Sequence, residues 1–240
     1  MKKIILSFLF IILAVSGVIS QKTITDPDAV KVDVKSFQAI SVSNSFSVYI
    51  SQGNEDAVAV SASEEKYREH IKVEVENGEL KIYYDKKGFL KGFSGDKMKL
   101  KAYISFKDID KLTVSGACDV LLEGGIKANE LKLNLSGASD LKGKLDVKKL
   151  DVDISGASDV NVSGSVSQLK IEASGASDFK GYDLVAEKCN VTASGASSIQ
   201  ITVNKELSAQ ASGASDVNYK GDGVIREIKS TGASSVSKKS

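Results

Sequence analysis

Little in this sequence is built for helix, for disulfides or for a charged partner. There is one proline and no tryptophan, while glycine, serine, alanine and valine are plentiful, a composition that suits many short strands. Two cysteines, Cys118 and Cys189, are too few for a disulfide scaffold. Lysine and arginine (32) balance aspartate and glutamate (31), giving a net charge of +1 with no basic stripe along the chain. Nucleic acid and anionic membrane are therefore poor partners. The lone histidine, His70, has no visible companions for a triad or a metal centre and reads as a solvated surface residue. No metal or cofactor motif is present, so none is expected.

The first 20 residues read as a signal peptide, not as part of the fold. Lys2 and Lys3 supply a positive start, Ile4 to Val15 are apolar apart from Ser7, and Val18 and Ser20 are small enough for the cleavage site. The apolar run is short of the roughly 20 residues that a membrane span needs. No cysteine follows the cleavage point, which excludes a lipid anchor there. Export is expected, with periplasm, cell surface and secretion all open, and no membrane span after cleavage. What remains is long enough for one large or two small domains.

The dominant feature is an internal repeat. Ser115-Gly116-Ala117-Cys118-Asp119 recurs at Ser136–Asp140, Ser155–Asp159, Ser174–Asp178, Ser194–Ser198, Ser212–Asp216 and Thr231–Ser235. The seven glycines are separated by 21, 19, 19, 20, 18 and 19 residues. Apolar columns flank each copy. One residue before it stand Val114, Leu135, Ile154, Ala173, Ala193 and Ala211; five after its first residue stand Val120, Leu141, Val160, Phe179, Ile199, Val217 and Val236. The alternation has the period of strands. Each copy is thus strand, tight bend, strand and a second bend, the latter with glycines of its own such as Gly143 and Gly164. The motif glycine supplies a conformation that a Cβ would strain, and the alanine is expected to let coils approach at the bend. One such unit cannot bury its apolar face, whereas stacked units form continuous columns and pair each backbone with its neighbours. The fold class is all-β: a right-handed parallel β-helix, or solenoid, of roughly 19-residue coils rising about 4.8 Å each.

Four segments follow. Residues 1–20 are the leader, 21–36 a polar lead-in, 37–106 a β-rich cap and 107–240 the seven-copy solenoid. Within the cap, Ser43–Ser47 reads as a degenerate further copy and Ala57–Ser61 as a strand. Ser63 to His70 reads as a short helical turn capped by its serine. Ile71–Glu76 and Glu79–Tyr84 flank Asn77-Gly78, a strong hairpin signal. A strand is expected over Lys97–Phe106. The cap would cover an end that otherwise exposes a pairing edge.

Phe37–Val42, the strand ending Ile50-Ser51-Gln52-Gly53, the hairpin Glu76–Ile82 and the repeat series together resemble the GIN domain, the head domain of autotransporter adhesins common in Bacteroidetes. The likeness runs from about Phe37 to the C-terminus. It implies a β-helical fold, export and an adhesive role, and it brings no catalytic motif. An autotransporter also needs a translocating barrel, and the sequence runs straight from its last copy to Ser240.

Two features are candidates for function. Asp119, Asp140, Asp159, Asp178 and Asp216 should stack on one outer face, interrupted by Ser198. Such a row is either a solvated ladder, relieved by Lys142 and Lys180 in the next outward column, or a site for calcium or sugar hydroxyls. Phe89, Leu90 and Phe93, in the glycine-hinged loop Lys86 to Asp96, are either a lid on the core or a contact surface. The two cysteines should be about four coils apart, too far to bridge. The functional reading is an exported, non-enzymatic binding or adhesion module presenting a repeated polar face to a protein or glycan of the cell envelope, or to a second copy of itself. The alternatives are a carbohydrate-active enzyme on the same scaffold and a structural envelope protein that binds another protein.

Overall fold

A computed structural model describes residues 26–86 and 98–240. From the first full copy onwards the chain winds as a stack of parallel coils. β8 (Lys111–Val114) and β9 (Asp119–Glu123) flank the first motif. Then come β10 (Ile126–Leu135), β11 (Asp140–Ile154), β12 (Asp159–Ala173), β13 (Asp178–Ala193) and β14 (Ser198–Ala211). β15 (Asp216–Lys220), β16 (Val224–Ser230) and β17 (Ser235–Lys238) complete it. Pairing is parallel throughout and keeps the motifs in phase: Leu141 lies beside Val120 and Val160, and Phe179 beside Val160 and Ile199. The apolar columns are the core, with Leu112, Leu133, Leu141, Val160, Phe179 and Ile199 fully buried. Each buried Leu, Val or Phe contributes about 1.5–3 kcal/mol of hydrophobic stabilisation. On the last coil the columns reach solvent, with Val224, Ile225 and Ile228 exposed.

The motif turn is held by two of its residues. Its glycine has a left-handed backbone, as at Gly156 (φ +78°), and a Cβ there would stand 2.4 Å from the carbonyl oxygen of Gly137 in the coil before. The close approach between coils therefore belongs to the glycines; the motif alanines, expected in that role, point to solvent. The fourth residue is a buried serine whose hydroxyl donates to the carbonyl of the first: Ser177 to Ser174 at 2.9 Å, Ser197 to Ser194 at 3.0 Å, Ser215 to Ser212 at 2.8 Å. Cys118 holds this place in the first copy, its thiol 3.5 Å from the Ser115 carbonyl. Cys189 lies in a different column, between Leu169 and Leu207. Both cysteines are buried and free.

The second bend differs from expectation. It is not a break at the glycines, because β11 to β14 run without interruption from one motif to the next. The in–out alternation instead reverses at paired outward residues, Lys148–Lys149 between buried Val147 and Leu150, and Glu187–Lys188 between Ala186 and Cys189. Ladder partners are skipped there, since Val147 pairs with Val166 and Lys149 with Gln168 but Lys148 with nothing across. A strand whose phase slips by one residue must turn a corner to keep its apolar side inward.

At the N-terminal end the order of layers departs from the order of the chain. β2 (Ala39–Val42), a turn and β3 (Ser47–Gln52) form an incomplete coil with Phe46 in the buried place of the motif serine. On one side this coil pairs in parallel with β8 and β9. On the other it pairs in parallel with β6 (Glu79–Tyr84) and β7 (Lys101–Phe106), which come later in sequence. Between them the chain reverses. β4 (Ala57–Ser61) runs antiparallel to β7, and β5 (Ile71–Glu76) antiparallel to β6 across Asn77 (φ 51°) and Gly78 (φ 77°). These antiparallel strands end the parallel stack. The expected start of β7 at Lys97 lies outside the described residues, and 98–100 are not strand. The short helix α1 (Glu65–Arg68) is preceded by Glu64, with no side-chain cap, where Ser63 had been expected to cap it.

The lead-in is more than a polar tail. β1 (Val30–Val32) pairs antiparallel with β4, and Asp26 anchors it. The Asp26 carboxylate accepts from Tyr103 Oη at 2.7 Å, Ser61 Oγ at 2.8 Å and Lys101 Nζ at 2.9 Å. Its side chain is only 8% exposed.

Candidate functional site

The expected row of carboxylates does stack. Asp119, Asp140, Asp159 and Asp178 are successive ladder partners, followed by Ser198, Asp216 and Ser235. Cations and hydroxyls interleave with it. Lys180 Nζ lies 3.1 Å from Asp159 and 3.6 Å from Asp178, and Ser235 Oγ donates to Asp216 at 2.5 Å. No group of three or more His, Cys, Asp or Glu among the described residues is arranged to hold a metal ion. A regular ladder relieved by lysine has the character of a solvated face more than of a cluster.

No pairing of nucleophile and base appears among the described residues. Burial pushes both thiols up, Cys189 most strongly, so neither is poised as a thiolate. His70 packs near Tyr84, ring centroids 5.7 Å apart, and its carbonyl accepts from the Asp85 N–H. Phe89, Leu90 and Phe93 lie outside the described residues.

The concave feature along the stack is the second corner. There the outward residues on either side of an inward one, as Asp146 and Lys148 flank Val147 and Ser165 and Ser167 flank Val166, line an open groove of about 830 Å³. Its floor is the strand backbone at Ala128, Val147, Val166 and Ala186, neighbours in the ladder whose side chains are half-buried at Ala128 and turned into the core at the other three. The groove continues over the coil of Lys205, so it spans four coil steps, about 19 Å. Its rims carry both charges: Lys127, Lys148 and Lys205 against Asp108, Asp146 and Glu187. Some of these groups already face one another, as in Lys205–Glu187 at 3.0 Å and Ser165 Oγ donating to Asp146 at 3.0 Å. A groove that runs along the stack with both charges on its rims suits an extended chain lying parallel to the axis.

Sequence reasoning singled out the aspartate row and passed over this corner, for which a signal was available. Adjacent polar residues framed by apolar ones recur between motifs, as Asn129-Glu130, Lys148-Lys149, Ser167-Gln168 and Glu187-Lys188, with three in a row at Asn204-Lys205-Glu206. Two outward residues in a row interrupt a strict alternation once per coil.

Comparison with known proteins follows the geometry. The family model described as "Putative auto-transporter adhesin, head GIN domain" matches residues 36–223. No curated protein matches the chain. Among solved structures, a "putative adhesin" from Bacteroides fragilis superposes with a TM-score of 0.79 at 20% identity, covering 88% of this chain and 96% of that one. A "putative lipid binding protein" from Parabacteroides distasonis gives 0.67 at 21% identity, covering 90% of this chain and 98% of that one. A "putative adhesin" from Parabacteroides merdae gives 0.64 at 17%, covering 88% and 95%. At such identities the likeness establishes a shared fold.

Proposed function

The chain belongs to the GIN-domain family of auto-transporter adhesin heads, and from that membership we propose that it is an exported, non-enzymatic binding module that holds an extended ligand along its second corner. The observation that carries this reading is the groove, repeated coil by coil with mixed charge on its rims. A ligand chain with its own period along the axis, a glycan or an extended peptide of the cell envelope, would meet equivalent contacts at each step. Affinity would then come from many weak contacts in series. The row Asp119, Asp140, Asp159, Asp178 and Asp216 serves in this reading as a solvated face that keeps the protein soluble. No helix among the described residues is long and apolar enough to cross a membrane, which is compatible with export.

The experiment is capture on a panel of immobilised glycans, glycoproteins and peptides, with release of reducing ends followed in the same wells. Wild type should be retained on an extended ligand without shortening it. The exposed double change Lys127→Glu and Lys148→Glu should weaken retention at least tenfold with the fold intact. Steady release of reducing ends by wild type, lost in no control, would instead establish the carbohydrate-active alternative.

A further inference from the structure

The groove repeats once per coil, and that period separates the two kinds of extended chain that could follow it. An extended peptide advances about 3.3 Å per residue and shows the same side only at every second residue, so it falls out of step with coils about 4.8 Å apart. A pyranose unit in an extended glycan advances nearly one coil, which keeps successive sugars over successive coils. The floor points the same way. Val147 is paired with Ala128 on one side and Val166 on the other, and Val166 in turn with Ala186, so the groove has no free strand edge to which a peptide could add. What meets a ligand is side chain, and Asn129, Ser165, Ser167 and Asn204 can hydrogen-bond hydroxyls along the rims.

The charges on the rims are unequally engaged. Glu187 is held by Lys205 at 3.0 Å, and Asp146 accepts from Ser165 Oγ at 3.0 Å with Lys144 Nζ 3.9 Å away. Lys149, just outside the groove, faces Glu130 at 3.7 Å. Lys127 and Lys148 make no ion pair among the described residues, and of the groove's carboxylates only Asp108 shares that condition. The two lysines stand on successive coils and on opposite rims, since Lys127 is the ladder partner of Asp146, two residues before Lys148. One end of the groove thus has two exposed cations against one carboxylate.

We infer that the ligand is an acidic glycan, a chain of uronate sugars lying along the stack with one carboxylate between Lys127 and Lys148; this rests on the reading of the groove as the binding site. Ammonium groups reaching a carboxylate from both rims make charge-assisted hydrogen bonds, which are stronger than neutral ones. The next sugars meet Ser165 and Ser167 through their hydroxyls. Farther along, the exposed Val185 and the Lys205–Glu187 pair offer an apolar contact and charges already matched, so the recognition of charge belongs to the end at Lys127. An acidic peptide brings the charge without the period, and a neutral glycan the period without the charge.

The test titrates three probes calorimetrically into the full chain: a β-1,4-linked mannuronate hexamer, the neutral β-1,4-mannohexaose and hexaglutamate. The mannuronate should bind saturably, at least tenfold more tightly than either of the others, and more weakly as salt is raised. Lys127→Gln with Lys148→Gln, both exposed changes, should lose tenfold or more for the mannuronate and leave the mannohexaose affinity as it was. Lys239→Gln, at the far end of the stack, should change neither. Equal affinity for the two glycans, or an equal loss for both in the double variant, overturns the acidic ligand while leaving the groove as the site. Tighter binding of hexaglutamate makes the ligand a peptide and overturns it too, as does the absence of saturable mannuronate binding up to low millimolar concentration. Mannuronate binding that the double variant does not alter overturns both this inference and the reading of the groove.

Discussion

Gln52 and Lys127 are paired as residues on adjacent strands are, although Gln52 contributes only its side chain. Its Oε1 accepts from the Lys127 N–H at 2.8 Å, and its Nε2 donates back to the Lys127 carbonyl at 3.0 Å. The second Nε2 hydrogen reaches the Lys107 carbonyl, also at 3.0 Å. The chain leaves its incomplete coil at Gly53, so the layer that should lie between Lys107 and Lys127 at this corner has no backbone. One carboxamide, a peptide group in miniature, fills the place.

Gln52→Ala should therefore destabilise the fold by about 1 kcal/mol, since three backbone groups lose a partner where water can partly replace it. A chain of this size should then melt about 2–4 °C lower. Hydrogen exchange at the Lys127 amide should accelerate far more than at Leu133 in the same strand. Unchanged exchange at Lys127 would show that the bridge does not hold that corner.

The motif glycines permit a sharp comparison. At Gly156 a Cβ meets backbone at 2.4 Å and the φ is left-handed, whereas at Gly78 the φ is left-handed but nothing lies within 4 Å. Gly156→Ala should cost clearly more than the conformational penalty of about 1–2 kcal/mol, and Gly78→Ala only that penalty. Chemical denaturation of the two variants measures the difference. Equal losses would mean that conformation alone, and not coil contact, conserves the turn's shape.

The cysteines should respond oppositely to the same substitution. Cys118→Ser restores the residue that the other turns use and should change stability by less than about 1 kcal/mol. Cys189→Ser places a hydroxyl in an apolar column between Leu169 and Leu207 and should cost about 2 kcal/mol. Thiol titration of wild type in denaturant without reductant should find two free groups per chain. An intrachain disulfide would contradict the coil register.

Asp26 gives the fold an acid-sensitive strap. Lys101 first, then the Tyr103 hydroxyl, hold its carboxyl well below the usual range, against the opposing effect of burial. A carboxyl with a depressed folded value stabilises above its unfolded pKa, about 3.9, and that contribution is lost as pH falls further towards the folded value. The protection of the β1 amides, corrected for the intrinsic pH dependence of exchange, should thus be flat from neutrality to mild acid and fall below about pH 4. Asp26→Asn should loosen β1 near neutral pH by about 1 kcal/mol, once solvent screening of the partly exposed Lys101 is allowed for, and converge with wild type in strong acid. An acid-driven loosening that persists undiminished in Asp26→Asn would place its cause elsewhere.

The sequence carried the solenoid openly because each coil repeats the same constraint. Seven glycines in phase with columns such as Leu112, Leu133 and Val152 leave few other arrangements, and the hairpin at Asn77-Gly78 is local chemistry. Layer order at the N-terminal end was not legible, because strand patterns do not say whether β2 will meet β6, β8 or both. The corner beside the groove was not legible either, because pairs such as Lys148-Lys149 look like any exposed polar residues until the ladder shows a skipped partner.

The central claim is that ligand lies along the stack, and affinity against ligand length tests it most directly. Using a size series of the first polymer captured, the dissociation constant should fall as the chain lengthens and level off once the ligand spans about 19 Å, the reach of the groove. In Lys127→Glu with Lys148→Glu the rise should be blunted for long ligands and nearly absent for the shortest. Monomer and long oligomer binding with equal affinity, untouched by the groove charges, would contradict it.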